Sequence, residues 1–315
     1  MKNDTSELLT YTTVKIVCDN GSVGTGFVIE LCRTDDGSMP VIVTNKHVVL
    51  GCSKYQYEMC ITNPDGKPID TQAIRFEGLI SDWILHPDSE IDLACLPIGH
   101  FINTSIENGI KPFYRSFDTS LIPSVKTVDE LSAIEDIYII GYPTGLEDTV
   151  NHKPLIRKGI TSTHPKNDYM GEPFFVIDCP TFPGSSGSPV VIYNRGAYPK
   201  SDGIQLGERL ILLGIVFKTF ISGLITITAA TNGETIDTIP NDLGLVIKSS
   251  QILEFEKILG KQGRGTIRLR WDTFNWFLLK YPVFHRQYVV LMNCSELGRF
   301  SVHRLGYSTR YLIHV

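Results

Sequence analysis

Through residue 250 the sequence is broken into short runs rich in Val, Ile, Phe and Tyr, set apart by Gly, Pro, Asn and Asp. That pattern favours many short strands joined by turns. The clearest runs are 14–18, 25–31, 41–45, 91–97, 137–142, 174–179, 189–193, 210–216 and 245–248. They point to an all-β barrel or sandwich. The first convincing helix is predicted over 250–259, where Ile252, Leu253, Phe255, Ile258 and Leu259 recur near helical spacing, with Ser249 or Ser250 as cap and Gly260 as stop. A turn-rich stretch near 100–130 is read as the joint between two strand-rich halves.

At 315 residues, with 42% hydrophobic and 20% charged residues, the chain can fill two compact halves and an extension. Residues 1–20 hold Asp4 and Glu7 and lack the basic and apolar regions of an export signal. The most apolar later stretches, such as 210–217, fall short of the ~20 residues of a membrane span. A soluble, cytoplasmic protein without a membrane span is expected. The seven cysteines form no CxxC pair or regular framework, which favours reduced thiols. His47, Cys52, Cys60, His86 and His100 show no recognised ligand spacing, and no glycine-rich loop suits a nucleotide, so neither metal nor cofactor is expected.

Three contexts carry chemistry. Pro183-Gly184-Ser185-Ser186-Gly187-Ser188-Pro189 places a glycine-flanked serine before an apolar strand. Glycine lets the backbone turn sharply there and aim N–H groups at a developing oxyanion. Val43-Thr44-Asn45-Lys46-His47 sets a histidine after a β-branched run, and Ile91-Asp92-Leu93 sets a carboxylate in an apolar run read as a strand. Singly, each has a structural alternative: a Ser/Gly turn, a structural histidine, a strand-end aspartate. Together they stand in the order His, Asp, Ser, separated by 45 and 94 residues. The Ser-His-Asp template has about 45 and about 93.

With these residues in view, the sequence resembles the chymotrypsin-like serine peptidases, in particular the compact bacterial trypsin-like and HtrA-like group. Gly24-Thr25-Gly26-Phe27, Thr44-Asn45-Lys46-His47, Asp92-Leu93-Ala94, Ile140-Gly141-Tyr142-Pro143, Gly184-Ser185-Ser186-Gly187, Leu213-Gly214-Ile215-Val216 and Gly244-Leu245-Val246 carry the likeness, which covers roughly 10–258. It implies two six-stranded antiparallel β-barrels with a cleft between them: 1–125 carrying His47 and Asp92, 126–260 carrying Ser186 and the closing helix. It also implies a triad of His47, Asp92 and Ser186, an oxyanion hole from the N–H groups of Gly184 and Ser186, and an acyl-enzyme on a peptide or protein substrate. Around the specificity pocket it places Thr181, Phe182, Phe217, Lys218, Thr219 and Gly244. Ser185 stands where digestive relatives have an aspartate, so activation by a freshly cut N-terminus is not implied. About Pro180 falls where trypsin carries its specificity carboxylate, with Asp178 nearby. A small or medium apolar side chain is the expected preference.

Residues 261–315 hold nine Lys and Arg against two acidic residues, whereas the rest of the chain holds 20 against 32. This extension is too short for a PDZ module. Its 266–271 run alternates like a strand, and 271–284 mixes aromatics with Lys280. It reads either as a packed extension or as a docking surface for an acidic partner, with nucleic acid not expected. Two other functions stay open at this point: a catalytically silent protease fold that binds peptides or partners, and an interaction protein acting through the basic tail.

Overall fold

The computed structural model describes residues 4–200, 203–228, 233–265, 288–291, 299–304 and 307–312. The chain divides into two units, Met1–Glu256 and Lys257–Val315.

The first half of the first unit is one sheet built from β1 (Thr13–Cys18), β2 (Val23–Thr34), β3 (Gly37–Thr44), β4 (Lys54–Thr62), β5 (Pro68–Leu79), β6 (Ile84–Leu85), β7 (Ala94–Pro97), β8 (Pro112–Phe113) and β9 (Phe117–Asp118). Its ladder runs β5-β4-β1-β2-β3-β7-β6, with β8 on β4 and β9 on β2. In β1 the period-2 alternation buries Val14, Ile16 and Cys18. Val28, Ile42, Tyr57 and Leu96 from four further strands join Val14 and Ile16 in one core, so the sheet wraps around its own apolar face. Its ladder stays open between β5 and the two-residue β6. There the chain makes a 3-10 turn, Ile80–Asp82, and Asp82 accepts the N–H of Leu79.

The second half adds β10 (Asp136–Gly141), β11 (Leu155–Thr161), β12 (Phe174–Asp178), β13 (Pro189–Asn194), the hairpin β14 (Ala197–Lys200) and β15 (Gly203–Leu206), then β16 (Arg209–Thr228) and β17 (Gly233–Lys248). Six of these close a barrel in the order β10-β11-β12-β17-β16-β13. Ile137, Ile139, Phe175, Ile177, Val190 and Val246 are among the buried residues that fill it. β16 and β17 extend well past the runs 210–216 and 245–248, pairing out to Thr228 opposite Gly233. The added stretch is rich in Ile and Thr, which suit a pleated ladder.

Helices are short: α1 (Thr5–Leu9), α2 (Lys46–Val49), α3 (Gly99–Glu107), α4 (Val125–Asp129) and α5 (Leu253–Gly265). Two of them, α3 and α4, occupy the stretch read as turns; Ile102 of α3 is drawn into the first core, which stabilises a helix whose ends carry no side-chain cap. The closing helix begins after a 3-10 turn over Ser249–Ile252 that lacks a side-chain cap, and it passes through Gly260, which does not act as a stop. Cys18, Cys32, Cys52, Cys60, Cys95 and Cys179 are free thiols. No helix among the described residues is long and apolar enough to cross a membrane.

The second unit contains a three-stranded antiparallel sheet of β18 (Tyr288–Leu291), β19 (Arg299–Arg304) and β20 (Tyr307–Leu312). The runs 266–271 and 271–284 lie outside the described residues.

Candidate active site

His47 owes its position to a four-residue helix. In α2 the apolar Val48 and Val49 are buried, leaving Lys46 and His47 on the outer side. The helix can lie so close to β2 because residue 24 is glycine: a Cβ there would stand 2.4 Å from Val48. Asn45 precedes the helix in extended conformation and makes no side-chain cap; its Nδ2 donates to the carbonyl of Asp92 at 2.8 Å.

Asp92 sits on a loop and not, as its apolar neighbours suggest, inside a strand. Ile91 and Leu93 are buried, but the Leu93 N–H bonds the Ile91 carbonyl, a tight turn that ends before β7 begins. His86 N–H to Leu93 O closes the loop, and Lys46 Nζ holds it from outside through the Asp88 carbonyl at 2.7 Å. The Asp92 carboxylate then takes two bonds from one residue. Its Oδ1 accepts the His47 backbone N–H at 3.1 Å and its Oδ2 meets His47 Nδ1 at 2.5 Å. An ionised carboxylate only accepts, so Nδ1 carries a proton, and in the neutral imidazole the lone pair is then on Nε2.

Ser186 belongs to a loop shaped by two glycines in the left-handed region, Gly184 at φ +89° and Gly187 at φ +85°. Neither tolerates a side chain. A Cβ on Gly187 would lie 1.9 Å from the Thr25 carbonyl oxygen, and one on Gly184 would lie 2.6 Å from that of Tyr142. Ser185, Gly187 and Ser188 donate their N–H groups to the carbonyls of Phe182, Val216 and Ser185. Those of Gly184 and Ser186 have no acceptor among the described residues.

The serine loop and the histidine helix meet through threonines that sequence reading missed. Thr25 donates its N–H to Ser186 O at 2.9 Å and its Oγ1 to Gly184 O at 2.9 Å, and accepts from Tyr142 N at 3.0 Å. Thr44 Oγ1 donates to Thr25 O at 2.7 Å, three residues before His47. Both are fully buried. Hydroxyls flanked by motif residues in a core strand were the available signal. The structure thus joins His47 to Asp92 directly and ties the Ser186 loop, through Thr25 and Thr44, to the strand that leads into His47; among the described residues no hydrogen bond links Ser186 to His47.

Of the residues expected around the specificity pocket, three come together. Thr219 Oγ1 donates to Thr181 Oγ1 at 3.0 Å, and Gly244 pairs with Thr219 in the ladder, its absent Cβ leaving room 2.9 Å from the Thr181 methyl. Phe217 lies at a β-bulge with its ring 4.9 Å from that of Phe174. Lys218 is exposed, and Phe182 lies under the Arg157 guanidinium, 4.6 Å from its ring centre. Asp178 is exposed at the end of β12.

Next to the Tyr142–Gly145 turn that backs Gly184, residues 147–153 are fastened to the first sheet. Lys15 pairs with Glu147, Lys153 with Asp70 at 2.8 Å, and His152 stands 3.7 Å from Glu58. A cavity of about 250 Å³ lies here, lined by Lys15, Glu58, Arg75, Glu147 and His152 among others. Its charges pair with one another and His47, Asp92 and Ser186 are not among its lining residues, so the candidate site lies at those three residues and not in this cavity. No group of three metal-ligating side chains occurs among the described residues.

The trypsin-like peptidase domain profile matches residues 24–197, a span that contains His47, Asp92 and Ser186. No curated protein matches the chain. Among solved structures it is similar to the inactive form of Rv3671c from M. tuberculosis H37Rv, at 17% identity over 83% of this chain and 93% of that one with a TM-score of 0.42. The active form of the Rv3671c protease from M. tuberculosis gives 19%, 79%, 81% and 0.40. Deg5 gives 17%, 75%, 86% and 0.39.

Proposed function

The chain belongs to the family of trypsin-like peptidases, and from that premise we propose that it is a serine endopeptidase working through Ser186, His47 and Asp92 and an acyl-enzyme. The observation that carries this reading is the doubly bonded Asp92 carboxylate, which leaves His47 Nε2 as the free base. Ser186 Oγ attacks the scissile carbonyl while Nε2 takes its proton, and the carbonyl π electrons move onto oxygen. That oxyanion is received by the N–H groups of Gly184 and Ser186, which have no acceptor among the described residues. Each such donor is worth about 3 to 4 kcal/mol in related sites. The tetrahedral species collapses, the C–N bond breaks, and imidazolium returns the proton to the departing amine. Water, deprotonated by His47, then attacks the acyl-enzyme, and Ser186 recovers its proton.

The binding pocket follows from Thr181, Thr219 and Gly244. The Thr219 hydroxyl donates to that of Thr181 and neither brings charge to the pocket, which suits a small or medium apolar side chain before the scissile bond and gives no ground for Arg or Lys preference. Phe182, Phe217 and Lys218 line its approach in this reading.

The test is hydrolysis of a peptide library by the wild type and by Ser186→Ala. The wild type is expected to cleave after apolar residues and the variant to lose at least ~10⁴ of turnover while keeping its circular dichroism. Equal cleavage by both would remove Ser186 from the mechanism.

A further inference from the structure

The stretch that leads from β12 to Ser186 leaves the barrel's ladders early. β12 pairs with β11 and β17 no further than Asp178, opposite Ile160 and Leu243, and the Cys179 N–H still reaches the Asp242 carbonyl. The next four residues, Pro180-Thr181-Phe182-Pro183, include two prolines that bring no N–H to any ladder. Yet this short wall carries one of the pocket residues, Thr181, and runs directly into Gly184. Its position is set by contacts outside the ladders.

Two side chains from other strands reach it. Thr219 donates to Thr181 Oγ1. Arg157 of β11, half-buried, donates from Nη1 to the Pro180 carbonyl at 2.7 Å, and its guanidinium lies 4.6 Å from the centre of the Phe182 ring. Gly159, two residues on along the same face of β11, permits this reach: a Cβ there would stand 2.3 Å from the Asp178 carbonyl oxygen and 2.5 Å from Cys179 Cβ. Among the described residues no carboxylate pairs with Arg157, so an ion pair is not what places it. Phe182 in turn closes the serine loop. Its N–H donates to Ser185 Oγ at 3.2 Å and its carbonyl accepts the Ser185 N–H at 2.9 Å, which makes 182–185 one closed turn with the left-handed Gly184 inside it.

We infer that Arg157 is a positioning residue for the oxyanion hole: by clamping the Pro180 carbonyl and the Phe182 ring, it fixes the direction of the Gly184 N–H. This deepens the endopeptidase reading and rests on it. Arg157 acts through Phe182 and Ser185, and not by contact with His47, Asp92 or Ser186. Arginine suits the task because its planar fork donates to a carbonyl and covers an aromatic face at once, which the compact ammonium of lysine does not do. Thr181 keeps its bond from Thr219 when Arg157 is lost, so the pocket persists. The loss then falls on the oxyanion, which develops only in the transition state, and hence on kcat more than on KM.

The test compares a peptide aldehyde with the corresponding peptide alcohol, both built on a sequence that the wild type cleaves. Ser186 Oγ adds to the aldehyde carbon as its proton passes to His47, and the carbonyl π electrons move onto the oxygen that enters the oxyanion hole. The alcohol fills the pocket and forms no oxyanion. Arg157→Ala is expected to lower kcat at least ~10-fold with KM within about 3-fold, and to weaken the aldehyde at least ~10-fold while the alcohol binds as before. Phe182→Leu keeps apolar bulk but removes the ring, and is expected to lower the same aldehyde-to-alcohol ratio, with the double variant adding little to either single change. Arg157→Lys should fall between Arg157→Ala and the wild type. Should Arg157→Ala fail to fold by circular dichroism, Phe182→Leu and Arg157→Lys report the same ratio. An unchanged ratio would overturn the inference. So would equal weakening of aldehyde and alcohol, which would make Arg157 a support of the pocket or the fold, and so would fully additive effects at 157 and 182. Failure of the wild type to cleave peptides or to label at Ser186 with a fluorophosphonate would strike the endopeptidase reading and this inference with it. An active wild type with an unchanged ratio strikes the inference alone.

Discussion

The two halves of the site are held in different ways. On the first sheet, His47 and Asp92 are positioned by side chains: Asn45 on the Asp92 carbonyl, and Asp92 on both the backbone and the ring of His47. On the barrel, Ser186 is positioned by backbone, through two left-handed glycines and N–H groups committed to Phe182, Val216 and Ser185. The first half is therefore vulnerable to changes in hydrogen-bonding chemistry and the second to changes in volume. Where the halves meet, at Thr25, a backbone carbonyl faces the absent side chain of Gly187 and also accepts the Thr44 hydroxyl.

The largest expected effect breaks the first half alone. Asp92→Asn preserves shape but presents an N–H₂ or a neutral oxygen to Nδ1, favouring the wrong imidazole tautomer, and should lower turnover about 10⁴-fold with the melting temperature little changed. Near-normal turnover in stopped assays would move the orienting role to another carboxylate, with Asp88 and Glu90 the nearest in sequence.

The second half breaks by volume. Gly187→Ala and Gly21→Ala impose nearly the same backbone strain, at φ +85° and +84°, but the first adds a contact at 1.9 Å and the second meets nothing within 4 Å. Gly21→Ala is expected to cost about 1 to 2 kcal/mol of stability without loss of turnover. Gly187→Ala should cost more and lower kcat at least ~10²-fold by displacing the Ser186 N–H. Equal effects from the two would mean that strain, and not the approach to Thr25, holds the loop.

The smallest effect concerns pH. His86 closes the Asp92 loop, is 4% exposed and lies edge-on to Phe255; burial lowers its pKa below the ordinary histidine value, with Lys46 acting in the same direction and Asp88 opposing. The unfolded chain therefore binds its proton more readily than the folded one. Stability should fall as pH drops below about 6.5, with the penalty complete once the lowered folded value is passed. The Asp88 N–H donates to His86 Nδ1 at 3.2 Å, a bond that His86→Asn can still accept, and that variant should show a shallower fall in melting temperature between pH 7.5 and 5.5. Parallel curves would show that the loop's charge balance lies elsewhere.

The strands and the loop glycines were legible in the sequence because they impose local patterns. Gly184 and Gly187, which adopt left-handed backbone around Ser186, stand as glycine-serine punctuation before an apolar strand, and His47 and Asp92, which the structure joins, stood in short apolar contexts at familiar separations. What stayed hidden was set by tertiary contacts. β5 is half-exposed and carries Asp70, Gln72, Arg75 and Glu77, which blur its alternation, while α3 depends on burial of Ile102 in a distant core. Asp92 looked like a strand residue because Ile91 and Leu93 are both buried, yet a tight turn places them so. Thr25 and Thr44 were invisible as linchpins because a buried hydroxyl declares its partner only in three dimensions.

The measurement closest to the central claim is mass-spectrometric mapping of a fluorophosphonate adduct after tryptic digestion of the wild type, Asp92→Asn and Gly187→Ala. A single adduct on Ser186, formed fast in the wild type and far more slowly in both variants, is the expected result. An adduct on another serine, or labelling of Ser186 at equal rates in all three proteins, would contradict the account.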